Sequence, residues 1–222
     1  MRPLKVTAWL DGPVAGDVPM LDALIEYRVA HRCDPSFLAR SQPDGKHAPG
    51  TLPIPIERRR VAGFDWPIPL ASSPIYLAVA DRHEHFTRRF DTEPALLRQR
   101  RVIATTNAEF KSYRLPLRVR NIERVVWFCV GVGAELRRLL RDVRLLGKKT
   151  SQGYGVARAW EVDSAEEDWS WFSPSDAGKL LMRPLPMSCA DAIGAVGGRR
   201  FYGGIVPPYW DAEYFAEGLS PC

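Results

Sequence analysis

The sequence predicts an α+β fold of the ferredoxin-like, or RRM-like, type, in which two helices back an antiparallel sheet. Two observations predict this class: some segments alternate apolar and polar residues as strands do, and two others carry apolar residues at helical spacing. These segments follow one another as strand, helix, strand, strand, helix, strand. A chain of 222 residues can bury a core of this size without disulfides or a structural metal.

The first strand and the first helix are predicted near the N-terminus. Residues 4–15 alternate well enough for a strand. The apolar residues on its buried face are Leu4, Val6, Ala8 and Leu10. Asp17 and Pro19 mark the start of a helix over residues 19–32. Residues 33–74 hold eight prolines, which predicts a loop with short edge strands.

The second half of the core combines three strands with the clearest helix in the chain. Residues 73–83 alternate, and residues 120–132 form a nearly continuous apolar run that is typical of a central strand. In residues 73–83, the alternating apolar residues are Ile75, Leu77 and Val79. A helix is predicted over residues 134–147 and the last strand over residues 156–164. The apolar stripe of the helix consists of Leu136, Leu139, Leu140, Val143 and Leu146, and its other side carries Arg137, Arg138, Arg141 and Arg144.

The domain boundaries follow from this order of elements. Residues 1–164 form the predicted core, which carries a long basic insertion at residues 84–117. Residues 165–222 form a C-terminal extension that is rich in glycine, proline and aromatic residues and is predicted to be irregular. Its aromatic side chains are expected to hold it against the core, although some of them could instead contact another subunit.

Charge is unevenly distributed along the chain. The segment from Glu161 to the end holds ten acidic and four basic residues, so it carries −6 and the preceding residues +11 within a total of +5. This asymmetry favours a basic face for a polyanion, with a solvated arginine-rich surface as the alternative. The four cysteines form no CxxC pair, which predicts reduced thiols and no zinc site. No apolar run is long enough to span a membrane and the N-terminus lacks a signal-peptide pattern, so a cytoplasmic protein is expected.

The segment LLGKKTSQGYG is unusual for a connection between a helix and a strand. Gly147 is a helix C-cap signal, but it does not explain the two glycines beside Tyr154. A nucleotide-binding phosphate loop is excluded, because Asp142 stands where that motif needs glycine and the segment follows a helix rather than preceding one. Glycines, lysines and a tyrosine together suit a nucleic-acid backbone, whereas a tight turn alone is the alternative. The predicted RNA-binding residues of this segment are Gly147, Lys148, Lys149, Thr150, Ser151, Gln152, Gly153, Tyr154 and Gly155.

The basic insertion is the second predicted RNA-binding segment. Ten basic and four acidic residues lie between Arg82 and Arg120, and aromatic residues are interleaved with them. Arginine binds phosphates and stacks on bases, and aromatic rings offer stacking platforms. The predicted contact residues are Arg88, Arg89, Arg98, Arg100, Arg101, Lys111, Tyr113 and Arg114. An exposed loop whose charges only maintain solubility is the alternative.

A helix, LLGKKTSQGYG and a strand at the end of a ferredoxin-like unit resemble the glycine-rich loop of the RAMP superfamily of CRISPR proteins. The chain length, the arginine-rich insertion, PMLDALIEY after the first strand and GGIVPPYWDAEYF near the end resemble the Cas-five type subunit of type IV effector complexes. The resemblance covers most of the chain. It implies a non-catalytic subunit that grips the 5′ handle of the guide RNA and caps the backbone of the complex. The insertion then resembles the thumb with which RAMP subunits kink their guide RNA.

The resemblance also implies the partners. They would be the guide RNA, the backbone RAMP subunit, the large subunit and, through the complex, target DNA. Neither a metal nor another cofactor is expected, and no membrane partner.

The histidines leave an enzymatic alternative open. His83 and His85 stand two residues apart at the end of a predicted strand, where either imidazole could act as general base on a ribose 2′-hydroxyl. His31 raises the same question, although no histidine of the first helix clearly matches those of the RNA-cleaving RAMP relatives. The alternative function is therefore a metal-independent endoribonuclease that processes guide RNA precursors. A stand-alone RNA-binding protein unconnected to CRISPR is a third hypothesis.

Overall fold

Mostly antiparallel sheets with helices packed against them build the protein in the computed structural model, which describes residues 1–33, 52–88, 113–176 and 178–221. The predicted α+β class is therefore confirmed. The strands are β1 (Arg2–Leu10), β2 (Pro13–Ala15), β3 (Arg58–Val61), β4 (Phe64–Pro69), β5 (Ala78–Arg88), β6 (Tyr113–Ile122), β7 (Arg124–Gly131), β8 (Ala157–Ser164), β9 (Phe172–Ser175), β10 (Gly178–Leu181), β11 (Leu185–Pro186), β12 (Ala195–Val196), β13 (Arg199–Gly204) and β14 (Phe215–Ser220). The α-helices are α1 (Leu21–Cys33), α2 (Gly133–Leu140) and α3 (Met187–Ala192).

The central sheet has the antiparallel order β7-β1-β8. Val6 of β1 pairs with Trp127 of β7 on one side and with Val162 of β8 on the other. The predicted apolar face of β1 is buried, because α1 and α2 contribute to the same cluster of apolar side chains that covers it. The first strand is shorter than predicted, since the chain turns at Asp11 and Gly12 before β2 begins.

The second predicted helix is shorter in the structure than in the sequence pattern. α2 ends at Leu140, yet Val143 and Leu146 are 6% and 1% exposed. The chain turns after the helix, and Leu145 then pairs with Val156. The apolar stripe was therefore predicted correctly as core, but its last two members reach the core from an irregular segment.

The two middle strands differ from the prediction. β5 begins at Ala78 rather than at residue 73 and pairs along its whole length with β6, and β7 follows as a separate strand after Glu123. We call β5 and β6 together the hairpin arm. Leu77 and Val79, two of the alternating apolar residues, are 83% and 79% exposed, because the chain leaves the central sheet here.

A four-stranded ferredoxin-like sheet is not confirmed. Among the described residues, the outer edge of β7 is met only by isolated bridges, from Ile56 to Gly131, from Ala71 to Cys129 and from Ile75 to Val126. Cys129 itself is buried in β7, and this burial raises the pKa of its thiol to about 12, as suits an unreactive reduced cysteine.

The C-terminal segment is not irregular, which corrects the prediction. Its strands form the small sheets β12-β10-β9 and β11-β14-β13, and the β3-β4 hairpin packs with them around a second apolar cluster. Frequent glycine and proline interrupt these strands without preventing them. Trp171 and Tyr214 are buried in this cluster as expected, whereas Tyr202 and Trp210 are each 73% exposed.

A buried ion pair connects this segment to α1. Arg183 and Asp22 are both fully buried, with 3.3 Å between Nη1 and Oδ2. The Tyr209 hydroxyl donates to Asp22 at 2.7 Å, and Arg183 donates to the carbonyl oxygens of Pro69, Ala71 and Ile205. Both terminal nitrogens of the guanidinium thus donate to oxygen acceptors, as a buried charge requires.

Candidate nucleic-acid interface

The glycine-rich loop, residues 147–155, is a closed loop whose two ends are held together. The Leu146 amide donates to the Gly155 carbonyl at 2.8 Å, and the Lys148 amide donates to the Ala15 carbonyl of β2 at 2.7 Å. A short 3₁₀ turn over Thr150–Gln152 forms the outer end of the loop. The connection between helix and strand is therefore an ordered projection that is attached to β2.

The glycines of the loop have different physical roles. Gly155 is buried at a φ of 69°, and a Cβ there would overlap the Leu146 carbonyl oxygen. A Cβ on Gly147 would lie 2.7 Å from the Ala15 carbonyl oxygen. These two glycines allow the backbone to close the loop. Gly153 differs, because it is exposed and nothing lies within 4 Å of its Cβ position.

The loop packs against one face of the hairpin arm. The Tyr154 hydroxyl donates to Glu84 Oε2 at 2.5 Å, and Lys149 Nζ lies 3.3 Å from the centroid of the Phe86 ring. The Phe86 ring in turn lies 6.0 Å from that of Tyr113. The structure thus brings together three predicted residues, Lys149, Tyr154 and Tyr113, from segments that are about 40 residues apart in the chain.

Charge and hydrogen bonding fix the protonation of this contact. The hydrogen bond from Tyr154 holds the pKa of the Glu84 carboxyl below its ordinary value, and Arg82, whose Nε lies 2.6 Å away, acts in the same direction. The same bond raises the pKa of Tyr154, because ionisation would bring a phenolate against a carboxylate. The tyrosine is therefore a neutral donor and the glutamate an ionised acceptor at neutral pH.

The outer part of the loop stays in solvent. Lys148, Ser151, Gln152 and Gly153 are exposed. The backbone amides of the two glycines, however, are not free to bind a phosphate. The Gly153 amide donates to the Thr150 carbonyl at 3.1 Å, and the Gly155 amide donates to the Pro13 carbonyl at 2.8 Å. An approaching phosphate would accordingly meet the ammonium, hydroxyl and amide side chains of the loop.

The other face of the hairpin arm carries a different set of residues. Arg114 lies opposite Thr87, and Arg118 opposite His83, so these side chains project away from the loop. Arg118 forms an ion pair with Asp81. The predicted residues Tyr113 and Arg114 are consequently on opposite faces, and Tyr113 shares the face that the loop contacts through Phe86.

Of the remaining predicted residues of the insertion, one lies at the end of β5. Arg88 pairs through its backbone with Tyr113. The other members of the set lie outside the described residues; they are Arg89, Arg98, Arg100, Arg101 and Lys111.

His31, His83 and His85 do not form a cluster with other metal-ligating side chains of the described residues. His83 and His85 are exposed on the face of the arm away from the loop, and the His31 ring lies 6.4 Å from that of Tyr27 in α1. Among the described residues, no group of three or more His, Cys, Asp or Glu side chains is arranged to hold a metal ion.

The loop contacts two arm residues, Glu84, which sequence reasoning missed, and Phe86, which the sequence indicated only as one of the aromatic residues of the insertion. Their spacing of two residues in an alternating segment indicates a shared face of a strand. That signal was present, but the sequence did not show that the glycine-rich loop lies against this face.

Comparison with known proteins identifies a family over most of the chain. The family CRISPR type IV associated protein Csf3 matches residues 71–221, a span that contains the hairpin arm, the glycine-rich loop and the C-terminal sheets. No curated protein matches the chain. Within the described ranges, no helix has the length and apolar character needed to cross a bilayer.

Proposed function

Since the chain belongs to the family CRISPR type IV associated protein Csf3, we propose that it holds the 5′ handle of the guide RNA in a type IV effector complex. Family membership makes the chain a RAMP-like subunit of such a complex. It therefore works together with the other effector subunits. One observation carries the proposal for RNA. The glycine-rich loop lies on the aromatic face of a basic arm and keeps its polar tip in solvent.

Side chains supply the contacts in this proposal. Lys148 and Lys149 offset phosphate charge, and Ser151 and Gln152 donate hydrogen bonds to phosphate or ribose oxygens. The aromatic rings of Tyr154 and the neighbouring Tyr113 offer stacking surfaces for unpaired bases. The bond from Tyr154 to Glu84 holds the phenol ring in place before RNA arrives, so less entropy is lost on binding.

A ferredoxin-like core of the RAMP type is part of the same proposal. The order β7-β1-β8 supports three of the four proposed strands, and the bridges of residues 71–75 to β7 support a fourth beside them. Both α1 and α2 pack in the cluster beside this sheet. The hairpin arm then takes the place of the thumb.

The subunit is proposed to be non-catalytic and to cap the backbone of the complex beside the backbone RAMP subunit and the large subunit. Target DNA would reach it through the complex. The exposed apolar side chains of Leu77 and Val79 support a contact with a neighbouring subunit, since large apolar groups side by side on a surface favour protein contacts.

Labelled repeat RNA incubated with the full chain in EDTA tests this function. We expect saturable binding without cleavage, and the same binding with His83→Ala/His85→Ala, because both histidines lie on the other face of the arm. Site-specific cleavage by the wild-type chain that this variant loses would contradict the proposal and support the endoribonuclease.

Arg100→Glu/Arg101→Glu is expected to weaken binding and to flatten its dependence on salt.

A further inference from the structure

A second basic site lies at the base of the glycine-rich loop, between the end of α2 and the edge strand β8. It is a cleft of about 460 Å³. Its lining residues are Arg137, Arg141, Val143, Arg144, Ala157, Arg158, Ala159 and Trp160. Four of these eight side chains are guanidinium groups, so the walls of the cleft carry a concentrated positive charge.

Only part of this charge is compensated inside the protein. Arg158 has Asp11 at 3.6 Å, and Arg137 donates to the Val162 carbonyl at 2.6 Å. Arg141 and Arg144 form no ion pair with any residue in the described ranges.

Asp142, which stands between these two arginines in the sequence, forms no ion pair with either of them, although its charge also attracts that of Arg141. Its carboxylate bonds instead to Arg28 and Arg32 of α1, at 3.3 and 3.0 Å. Like charges placed together with few counterions repel one another, so the arrangement favours binding of an anion.

The walls of the cleft are fixed in position and its small side chains leave the space between them open. The Trp160 indole donates to the Val143 carbonyl at 2.8 Å, and its ring is stacked with Trp127 at 5.8 Å between centroids. Trp160 is therefore fixed as a wall, and the Ala157 and Ala159 side chains are too small to fill the space. A rigid aromatic and arginine-lined cleft suits planar, bidentate recognition of phosphate.

We propose that this cleft binds phosphate groups of a nucleic-acid strand, as a site separate from the loop. The Ala157 amide donates to the Arg144 carbonyl at 2.8 Å, which is part of the ladder that closes the loop. The cleft therefore begins about two residues, or roughly 7 Å, beyond Gly155 along the strand. This continuity with the loop favours nucleic acid over an acidic peptide. Naming the strand as the guide RNA rests on the proposed function.

Arg141→Gln/Arg144→Gln in the full chain tests the inference. These side chains are exposed and form no ion pair with the part of the chain that the structure describes, so the melting temperature should not change. The matched control is Arg199→Gln/Arg200→Gln, which removes the same charge from the exposed strand β13. A third variant, Lys148→Gln/Lys149→Gln, removes the same charge from the loop.

Anisotropy of a 5′-labelled single-stranded repeat RNA, measured over a range of NaCl concentrations, gives the result. We expect the cleft variant to bind about 10-fold more weakly, with a salt slope lower by about 1.4 for two lost phosphate contacts, and the control to bind like wild type. Equal losses in the cleft variant and the control would overturn the inference. The inference would also be overturned if poly-glutamate displaced the labelled RNA at least as strongly as unlabelled RNA of equal charge.

The two proposals fail in different ways. A loss of RNA affinity confined to the loop variant supports the proposed interface and overturns the cleft. A loss confined to the cleft variant supports the cleft and overturns the proposed interface. If the wild-type chain binds no RNA, the proposed function has failed and inorganic pyrophosphate decides on the cleft. Pyrophosphate should then raise the melting temperature of wild type and control but not of the cleft variant; an equal rise in all three overturns the inference.

Discussion

Gly153 and Gly155 stand on either side of one tyrosine, but only one of them is required by the packing of the protein. Gly155→Ala would place a methyl group on the Leu146 carbonyl oxygen at a φ of 69°, whereas Gly153 has free space around it at a φ of 86°. We expect Gly155→Ala to lower the free energy of unfolding by about 2–4 kcal/mol, through overlap and backbone strain. Gly153→Ala should cost about 1 kcal/mol, from strain alone. Urea denaturation measures both, and equal losses would contradict the assignment.

Glu26 of α1 makes stability depend on pH. Burial raises the pKa of its carboxyl from 4.5 to about 7, although Arg58, at 3.7 Å, acts in the opposite direction. Because the folded state then binds the proton more tightly than the unfolded state, this residue's contribution falls as pH rises from about 4.5 through 7.

Glu26→Gln tests this assignment. The variant should be more stable than wild type by about 2 kcal/mol at pH 8, and the difference should shrink towards pH 5. Chemical denaturation at several pH values measures this. A difference that stays constant from pH 5 to pH 8 would show that Glu26 is not titrating as described.

At the scale of elements, local patterns predicted where apolar residues go but not always which sheet they join. The apolar stripe from Leu136 to Leu146 is core, as helical spacing indicates. The alternation of residues 73–83 gave no such guidance, because the chain exchanges one partner strand for another there and exposes Leu77. Pairing between distant strands depends on register and turn geometry that short windows of sequence do not contain.

The candidate site was predictable to the same extent. The composition of the loop predicted Lys149 and Tyr154 as RNA-binding residues, which stays a prediction, and it did not indicate that they lie beside the basic insertion. Their contacts with Phe86 and Glu84 depend on the register of β5 against β6, which sets the face that each residue occupies. The cleft of arginines was visible only as the polar side of a predicted helix.

At the scale of the whole molecule, Arg183 connects the two apolar clusters. It reaches Asp22 in α1 and backbone carbonyl groups of residues 69, 71 and 205. Arg183→Met should lower the free energy of unfolding by about 3–5 kcal/mol, because it leaves the Asp22 charge and several carbonyl groups buried without a partner.

Tyr209→Phe serves as the milder comparison for this prediction. It removes only the hydroxyl, which donates to Asp22 and accepts from Arg183, and should cost about 1–2 kcal/mol. Chemical denaturation of the two variants gives the order directly. Equal stability of Arg183→Met and wild type would show that the ion pair is not needed to hold the clusters together.

The most direct test of the proposed RNA interface compares two lysines in the same local setting. Lys149 Nζ lies 3.3 Å from the centroid of Phe86 in the loop, and Lys179 Nζ lies 4.9 Å from that of Phe172 in the C-terminal sheet. The measurement is the affinity of the full chain for labelled repeat RNA over a range of salt, for Lys149→Met and Lys179→Met. If the loop grips RNA, Lys149→Met weakens binding about 3- to 10-fold and lowers the salt slope by about 0.7, while Lys179→Met binds like wild type. Equal affinities and slopes for the two variants would contradict an RNA-binding role for the loop.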